Sequence, residues 1–415
     1  MEIGKKKKWC CRYLKLINNL LYIYKYKKDG LLLVLDLSTV YEISLCLSSS
    51  KPFSFYIESN DYYKFSVESE EKRNEWIFKL QEAQNLQNSK KINLNDFKII
   101  KELGNGIFGK VYLVQQKNNN NLYALKAISK KIFSDCNLIE KTIAERNVLI
   151  TSNHPFILSA KYTFQSETHL FLVTDYMPGG NLYTRLLIVK KFTLDYIQFY
   201  SAQIALAIGY VHEKDVIHRD LKLENILINQ DGYLKLADFG LVKSNMIENE
   251  TTRTFCGTPE FTAPEMILNK PYHKSIDWWA FGCLVFEMAT GFPPFTGDNN
   301  RMLFESIIKN PVLYPNDMDN DLFDLLSKLL VKEPKERLGS GKMDFFDIIS
   351  HPFFKSLNIL DLSNKLIPAK WKPDPQIDLS SSQSNEIDIS QDFSEQFSLS
   401  VQDIFNGFSY AKDWE

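Results

Sequence analysis

The chain has 415 residues, with 49 Lys+Arg against 51 Asp+Glu for a formal net charge of −2, 44% hydrophobic residues and 6 Cys. At about 100 to 200 residues per domain this length implies two to four units with a sizeable core, which excludes a wholly disordered chain. The balanced charge gives no general pull toward nucleic acid. Anion attraction is local to the start of the chain, where Lys5, Lys6, Lys7, Lys8, Arg12, Lys15, Lys25, Lys27 and Lys28 stand against only Glu2 and Asp29.

No run approaches the roughly 18 apolar residues of a membrane span, and Leu31 to Leu35 is cut by Asp36. The opening Met-Glu-Ile-Gly fits neither a signal peptide nor a myristoylation site, which needs Gly second. Cys10, Cys11, Cys46, Cys136, Cys256 and Cys283 form no CxxC pair, so a reducing, intracellular setting without structural zinc is expected.

Between residues 10 and 68, short segments rich in Tyr, Phe, Ile, Leu and Val alternate with turn clusters such as Asn18-Asn19 and Lys28-Asp29-Gly30. This predicts a meander of antiparallel strands. A helix follows from Ser69, with a Ser cap, acids in its first turn, and Trp76, Ile77 and Leu80 at helical spacing. Strands closed by one helix make a small β-sandwich or barrel. Polar residues from Gln84 to Lys91 read as a linker, and a larger mixed α/β region runs from Phe97 to Phe354. From Pro373 to Ile404 there is no Lys or Arg while Ser, Asp and Glu dominate, the composition of a tail ordered only where it docks.

In the large region, Gly104-Asn-Gly106-Ile-Phe-Gly109 lies between two apolar strand patterns, where glycines let the backbone fold over phosphates without Cβ clashes. The next strand carries Tyr123-Ala-Leu-Lys126, which puts an ammonium within reach of phosphate oxygens. Further on stand His218-Arg-Asp220-Leu-Lys222-Leu-Glu-Asn225 and, thirteen residues after Asn225, Asp238-Phe-Gly240. With this pair of motifs at this spacing, residues 97–354 resemble a eukaryotic protein kinase.

The resemblance implies ATP and Mg²⁺ as cofactors and assigns roles by position. Asp220 would accept or orient the substrate hydroxyl proton, Lys222 would contact the transferring phosphate, and Asn225 and Asp238 would hold the metal, being hard oxygen ligands. Lys126 would grip the nucleotide phosphates and pair with Glu145, Glu140 being the poorer match. Leu103, Gly104, Asn105, Gly106, Ile107, Phe108, Gly109, Lys110, Val111, Ala124, Thr174, Asp175 and Tyr176 would complete the nucleotide site. Thr258 would position a Ser/Thr acceptor, Glu265 would pair with Arg337, and Asp277 would cap the catalytic loop from below.

Lys130-Lys131, Thr254-Phe-Cys-Gly-Thr258, Lys335-Glu-Arg-Leu-Gly and the terminal Phe405-Asn-Gly-Phe408-Ser409-Tyr410 resemble the AGC group of kinases. With the N-terminal meander, the order resembles the protein kinase B (Akt) family. The implied class is α+β: a bilobal protein kinase fold preceded by a small PH-like β-sandwich or barrel capped by its C-terminal helix. The implied divisions are 1–88 PH-like, 89–96 linker, 97–354 catalytic and 355–415 regulatory tail. Thr254 and Ser409 would be phosphosites for upstream kinases, and a phosphate on Thr254 would pair with Arg219. A cytoplasmic monomer acting on protein substrates is expected, with recruitment to an anionic or phosphoinositide membrane through the PH-like domain.

Several residues depart from the family pattern. Where phosphoinositide-binding relatives carry Lys/Arg-x-Arg, this chain has Cys10-Cys11-Arg12, and the first strand must come from Met1 to Lys6 or be missing. Glu224 and Glu287 match the acids that read upstream arginines, but the acid expected after Gly179-Gly180 is Asn181, which should soften selection at the nearer arginine. The proline-flanked turn site is absent, leaving Ser398 and Ser400 as weak substitutes. The alternative function is a kinase-fold scaffold, which would survive loss of Asp220 and Asp238.

Overall fold

The computed structural model describes residues 2–3, 11–17, 20–25, 30–37, 40–46, 51–59, 61–88, 92–106, 109–133, 136–243, 252, 254, 256–374, 405 and 408–411. The chain forms two compact units: residues 1–97, 161–171 and 390–415, and residues 98–160 and 172–389.

In the first unit, β1 (Glu2–Ile3), β2 (Tyr13–Ile17), β3 (Leu20–Tyr24), β4 (Leu31–Asp36), β5 (Glu42–Leu45), β6 (Ser54–Glu58) and β7 (Tyr62–Ser66) form two antiparallel sheets. Their orders are β2-β3-β4 and β1-β7-β6-β5. Alternation decides which side chains enter the core: Leu21, Ile23, Leu35, Ile43, Phe55, Ile57 and Phe65 point inward. β1 falls inside the Met1 to Lys6 stretch and pairs with β7 at Lys64 and Tyr63, so the first strand is short but present. The helix α1 (Glu70–Asn88) brings Leu80 and Ala83 into the core with Trp76 and Ile77 against it. Ser69 Oγ accepts the Lys72 amide, as the cap signal implied. Gln81 Nε2 donates to the Ile43 carbonyl at 2.8 Å, fastening the helix to the sheet. The helix continues to Asn88, through residues expected to begin the linker.

β8 (Phe97–Gly106) passes from the first unit into the second, where β9 (Gly109–Gln116) and β10 (Leu122–Ser129) pair antiparallel with Val111 opposite Lys126. Next come α2 (Cys136–Thr151), β11 (Ala160–Gln165), β12 (His169–Asp175), α3 (Leu182–Val189) and α4 (Leu194–Glu213). The hairpin β13 (Ile226–Ile228) and β14 (Leu234–Leu236) precedes α5 (Pro264–Ile267), α6 (Ser275–Thr290), α7 (Asn300–Lys309), α8 (Asn320–Leu329), α9 (Phe345–Ile349) and α10 (Ile359–Ser363). The helix α6 is apolar on nearly all sides and correspondingly buried from Ser275 to Met288. Residues 365–371 lie along α3, α4 and the β13–β14 turn: Tyr196 Oη donates to the Lys370 carbonyl, and Arg185 sits 4.2 Å over the Trp371 ring.

In the first unit the tail ends in β15 (Tyr410–Ala411), which pairs with β11 at Thr163 and Tyr162. Phe405 and Phe408 are buried, and their carbonyls accept from Gln165 Nε2 at 2.8 Å and Thr163 Oγ1 at 2.5 Å. The mixed α+β class expected from sequence is what the chain adopts.

Candidate active site

Lys126 lies on β10 among alternating buried neighbours and reaches toward α2, where its Nζ meets Glu145 Oε1 at 2.6 Å. The lysine side chain keeps 25% of its surface and the glutamate 8%. Burial pulls the ammonium pKa down, but Glu145 and Asp238 outweigh it and hold it above the ordinary lysine value. Glu145, rather than Glu140, is thus the partner present; the Glu140 side chain lies outside the described residues.

The glycine-rich segment leads into this strand pair. Leu103, Gly104, Asn105 and Gly106 are exposed, while Ile107 and Phe108 lie outside the described residues. Gly109 has φ +156°, and a Cβ there would come within 2.1 Å of the Ala127 carbonyl oxygen, so no larger residue fits this approach. Lys110 and Val111 pair with Ala127 and Lys126, and Ala124 with Leu113. Thr174 and Asp175 end β12, with Thr174 nearly buried and Tyr176 following.

The antiparallel register of β13 and β14 pairs Ile226 with Leu236. The flanking Asn225 and Asp238 are therefore carried to the same end of the hairpin, with the Ala237 amide donating to the Asn225 carbonyl at 2.8 Å. Asp238 has φ 57° and Arg219 φ 69°, sparsely populated conformations that the surrounding hydrogen bonds must hold.

Asp220 gathers the remaining groups. Its Oδ1 accepts the Thr258 amide at 3.0 Å and hydroxyl at 2.7 Å, and its Oδ2 faces Lys222 Nζ at 3.0 Å. Asn225 Nδ2 donates to the Asp220 carbonyl at 2.8 Å and Lys222 Nζ to Thr258 Oγ1 at 2.9 Å. Burial raises the Asp220 pKa, but Thr258 and Lys222 overcome this and leave it below the ordinary aspartate value. Gly257 permits the approach: it has φ +97°, and a Cβ would meet the Arg219 carbonyl oxygen at 2.5 Å. Beneath the loop, Asp277 accepts the His218 and Arg219 amides at 2.8 and 2.9 Å, the cap expected of it.

Thr254 is exposed, and no hydrogen bond joins its side chain to Arg219. The guanidinium instead donates to the Leu241 carbonyl at 2.6 Å, the Val242 carbonyl at 3.2 Å and Tyr272 Oη at 3.5 Å. Tyr272 Oη donates in turn to the Thr254 carbonyl at 2.6 Å, so the expected pair is connected through a tyrosine that sequence motifs did not single out. Ser409 is exposed beside buried Phe408.

Glu287 on α6 is 6% exposed and its Oε2 has no hydrogen-bond partner among the described residues. Burial first, then Glu224 and Glu260, push its carboxyl up to about 7. Asn181 is occupied as the cap of α3, its Oδ1 accepting the Thr184 amide at 2.8 Å and hydroxyl at 2.9 Å. In the first unit, Arg12 Nη1 donates to the Cys11 carbonyl, while Cys10, the cluster Lys5 to Lys8, Ser398 and Ser400 lie outside the described residues. Among the described residues no helix is long and apolar enough to cross a membrane.

A family model described as "Protein kinase domain" matches residues 97–354, and one described as "PH domain" matches residues 1–85. The RAC family serine/threonine-protein kinase homolog of Dictyostelium discoideum is 37% identical over 384 residues, covering 90% of this chain and 85% of that relative. The RAC serine/threonine-protein kinase of Drosophila melanogaster is 43% identical over 284 residues, 68% of this chain and 46% of the relative. Protein kinase C-like 2 of Schizosaccharomyces pombe is 38% identical over 331 residues, 78% of this chain and 32% of the relative, so the chain spans only about a third of that protein. An ordered Lys126–Glu145 pair, an Asp220 cluster, and these matches together show that the chain belongs to the protein kinase family, in its AGC group, with an N-terminal PH domain.

Proposed function

We propose that the chain transfers phosphate from ATP to Ser or Thr of protein substrates, using Mg²⁺. The convergence of Thr258, Lys222 and Asn225 on Asp220 carries this reading. The donor set fits the nucleotide and metal: Asn225 and Asp238 offer hard oxygens from one end of a hairpin, and Lys126 offers an ammonium for phosphate oxygens. Bound ATP with its metal supplies the phosphoryl group and neutralises the charge around it. Asp220, anionic at neutral pH, orients the acceptor hydroxyl and takes its proton; Lys222 sets a positive charge beside it, and Thr258 fixes the carboxylate rotamer.

The working divisions are 1–88 PH-like, 89–96 linker, 97–354 catalytic and 355–415 regulatory tail. The chain acts as a cytoplasmic monomer, switched by upstream kinases at Thr254 and Ser409, both exposed. Phosphate on Thr254 draws the nearby Arg219 away from the Leu241 and Val242 carbonyls, which makes the segment after Asp238-Phe-Gly240 part of the switch.

Glu224 and Glu287 read arginine upstream of the acceptor, while Asn181, engaged as a helix cap, adds no charge. A Ser/Thr peptide array with ATP tests both activity and selectivity. Because Glu287 titrates near 7, the preference for an upstream arginine over alanine, read as a ratio of kcat/KM values, should rise between pH 6 and pH 8. The rise approaches about tenfold, since the ionised fraction of such a group grows by about that factor. No transfer to any Ser or Thr peptide sinks the kinase reading, and a pH-independent ratio removes Glu287 from arginine recognition.

The PH domain takes the chain to anionic membranes. Arg12 is the one cation left of the expected triplet, so binding of the full chain to vesicles should track phosphatidylserine content more than a 3-phosphorylated inositide at about 0.15 M salt. Clear preference for the 3-phosphorylated lipid would show that other cations replace the missing one.

A further inference from the structure

In the sheet β2-β3-β4, Leu14, Leu16, Leu21, Ile23 and Leu33 pack on the core, so alternation turns the residues between them outward. Register sets these outward residues in rows across the strands. Lys15 lies opposite Tyr22 and Tyr22 opposite Val34; Tyr13 lies opposite Tyr24, and Leu20 opposite Asp36. Leu32 shares the outward side of β4 with Val34. Tyr13, Leu32 and Val34 are 45%, 46% and 39% exposed, and the Tyr22 and Tyr24 rings stack with centroids 6.4 Å apart. An antiparallel sheet with one face in water normally carries polar side chains there. This face is aromatic and aliphatic, and a contiguous exposed patch of that kind marks a contact surface.

Charge on the face is graded along the strands. Exposed Lys15 stands in the middle row, exposed Lys25 follows Tyr24 at one end, and Asp36 lies at the other. In sequence the connection from β3 to β4 adds Lys27 and Lys28 against Asp29. The outer face of the other sheet is of opposite character: Glu42 lies opposite Glu58, and Glu58 opposite Tyr62, which sets acids beside its exposed aromatic ring. An anionic surface is therefore attracted to one face of this domain and repelled by the other. A second copy of the chain suits the apolar face less well, because a two-fold axis through the middle row sets Lys15 against Lys15.

We propose that the outer face of β2-β3-β4 is the surface on which this chain lies against an anionic phospholipid bilayer, with Tyr13, Leu32 and Val34 at the headgroup boundary and Lys15 and Lys25 on the lipid anions. Tyrosine suits that depth, since its ring is apolar and its hydroxyl stays wet. Lysine lays its stem over the apolar surface and keeps its ammonium among the headgroups. Apolar contact and attraction to anionic lipid then act together, and neither needs a particular headgroup. The proposal rests on the membrane reading of the PH domain and names the surface responsible for it.

The test measures binding of the full chain to vesicles of phosphatidylcholine with about 30% phosphatidylserine at about 0.15 M salt. The triple variant Tyr13→Thr, Leu32→Thr, Val34→Thr keeps residues that favour strands, and circular dichroism checks its fold. It should bind about tenfold more weakly with an unaltered salt dependence, because only apolar contact is removed. Lys15→Gln should bind about fivefold more weakly and with a flatter salt dependence. Tyr62→Thr, on the acidic face of the other sheet, should bind like the unsubstituted chain. If the triple variant does not fold, Lys15→Gln and Leu32→Thr, each made singly, decide the matter. Unchanged binding by the triple variant, or by both single variants, overturns the proposal. Two lipid-free results also overturn it: a concentration-dependent dimer abolished by the triple variant assigns the face to a second copy, and a raised peptide kcat in that variant assigns it to a contact within the chain. An unsubstituted chain that binds no anionic vesicle fails earlier, at the membrane reading itself, and the proposal falls with it.

Discussion

Asp220→Asn is expected to lower kcat by about 10³-fold while the KM for ATP stays within about threefold. Asparagine keeps an oxygen for the Thr258 amide and hydroxyl, so the segment held at 3.0 and 2.7 Å has the same acceptor. What disappears is the negative charge that Lys222 faces at 3.0 Å and the ability to take a proton. Steady-state kinetics on a peptide identified by the array make the measurement, with circular dichroism confirming the fold. A kcat within about threefold of the unsubstituted chain would remove Asp220 from proton transfer. Because Thr258 and Lys222 hold the Asp220 pKa below the ordinary aspartate value, the acidic limb of kcat/KM should lie below that value too.

Arg337→Ala is expected to cost about 3–5 kcal/mol of stability, the largest single effect on the fold. The guanidinium and Glu265 are 0% and 1% exposed and meet in a two-pronged pair, Nη1 to Oε1 at 2.7 Å and Nη2 to Oε2 at 3.0 Å. Arg337 also donates to the Ser275 carbonyl at 2.9 Å and the Val331 carbonyl at 3.1 Å, and lies 5.2 Å over the Trp279 ring. Removing it leaves a buried carboxylate with no counter-charge and takes one donor from each of two carbonyls. For a domain of this size the melting transition should fall by roughly 10 °C. The double variant Arg337→Met with Glu265→Gln should recover much of the loss, since most of the penalty is the unpaired charge. A loss below about 1 kcal/mol in Arg337→Ala would mean the pair is solvated.

Legibility in the sequence followed chemistry that is local or tied to fixed spacing. His218-Arg-Asp220 through Asn225 and Asp238-Phe-Gly240 carry the resemblance to the kinase family because each lies in one short local segment, and the hairpin register then brings Asn225 and Asp238 to one end. The choice of Glu145 over Glu140 came from the resemblance to the kinase family, and the Lys126–Glu145 contact at 2.6 Å agrees with it. The strand meander and the Ser69 cap were readable because alternation and capping involve near neighbours. The extent of α1 was not, since polar Gln84 to Asn88 carry no burial signal that distinguishes helix from linker.

Other relations depended on distance along the chain. Tyr272 joins Thr254 to Arg219 across 18 and 53 positions, and His212 meets Asp344 across 132, with no motif to announce either. The consequence of Asn181 also changed in kind: sequence shows a missing acid, whereas the fold shows that its side chain is committed to capping α3. The sequence alone determined the family and the order of its domains, because those are carried by motifs at fixed spacing and by periodicity. Only the tertiary structure decided that Glu287 is a buried acid whose carboxyl is pushed up by poor solvation, that Arg219 is engaged with the segment after Phe239, and that His212 lies between two carboxylates. Each of these depends on which distant groups share a buried space with it, and desolvation and pairing there set the charge each group carries.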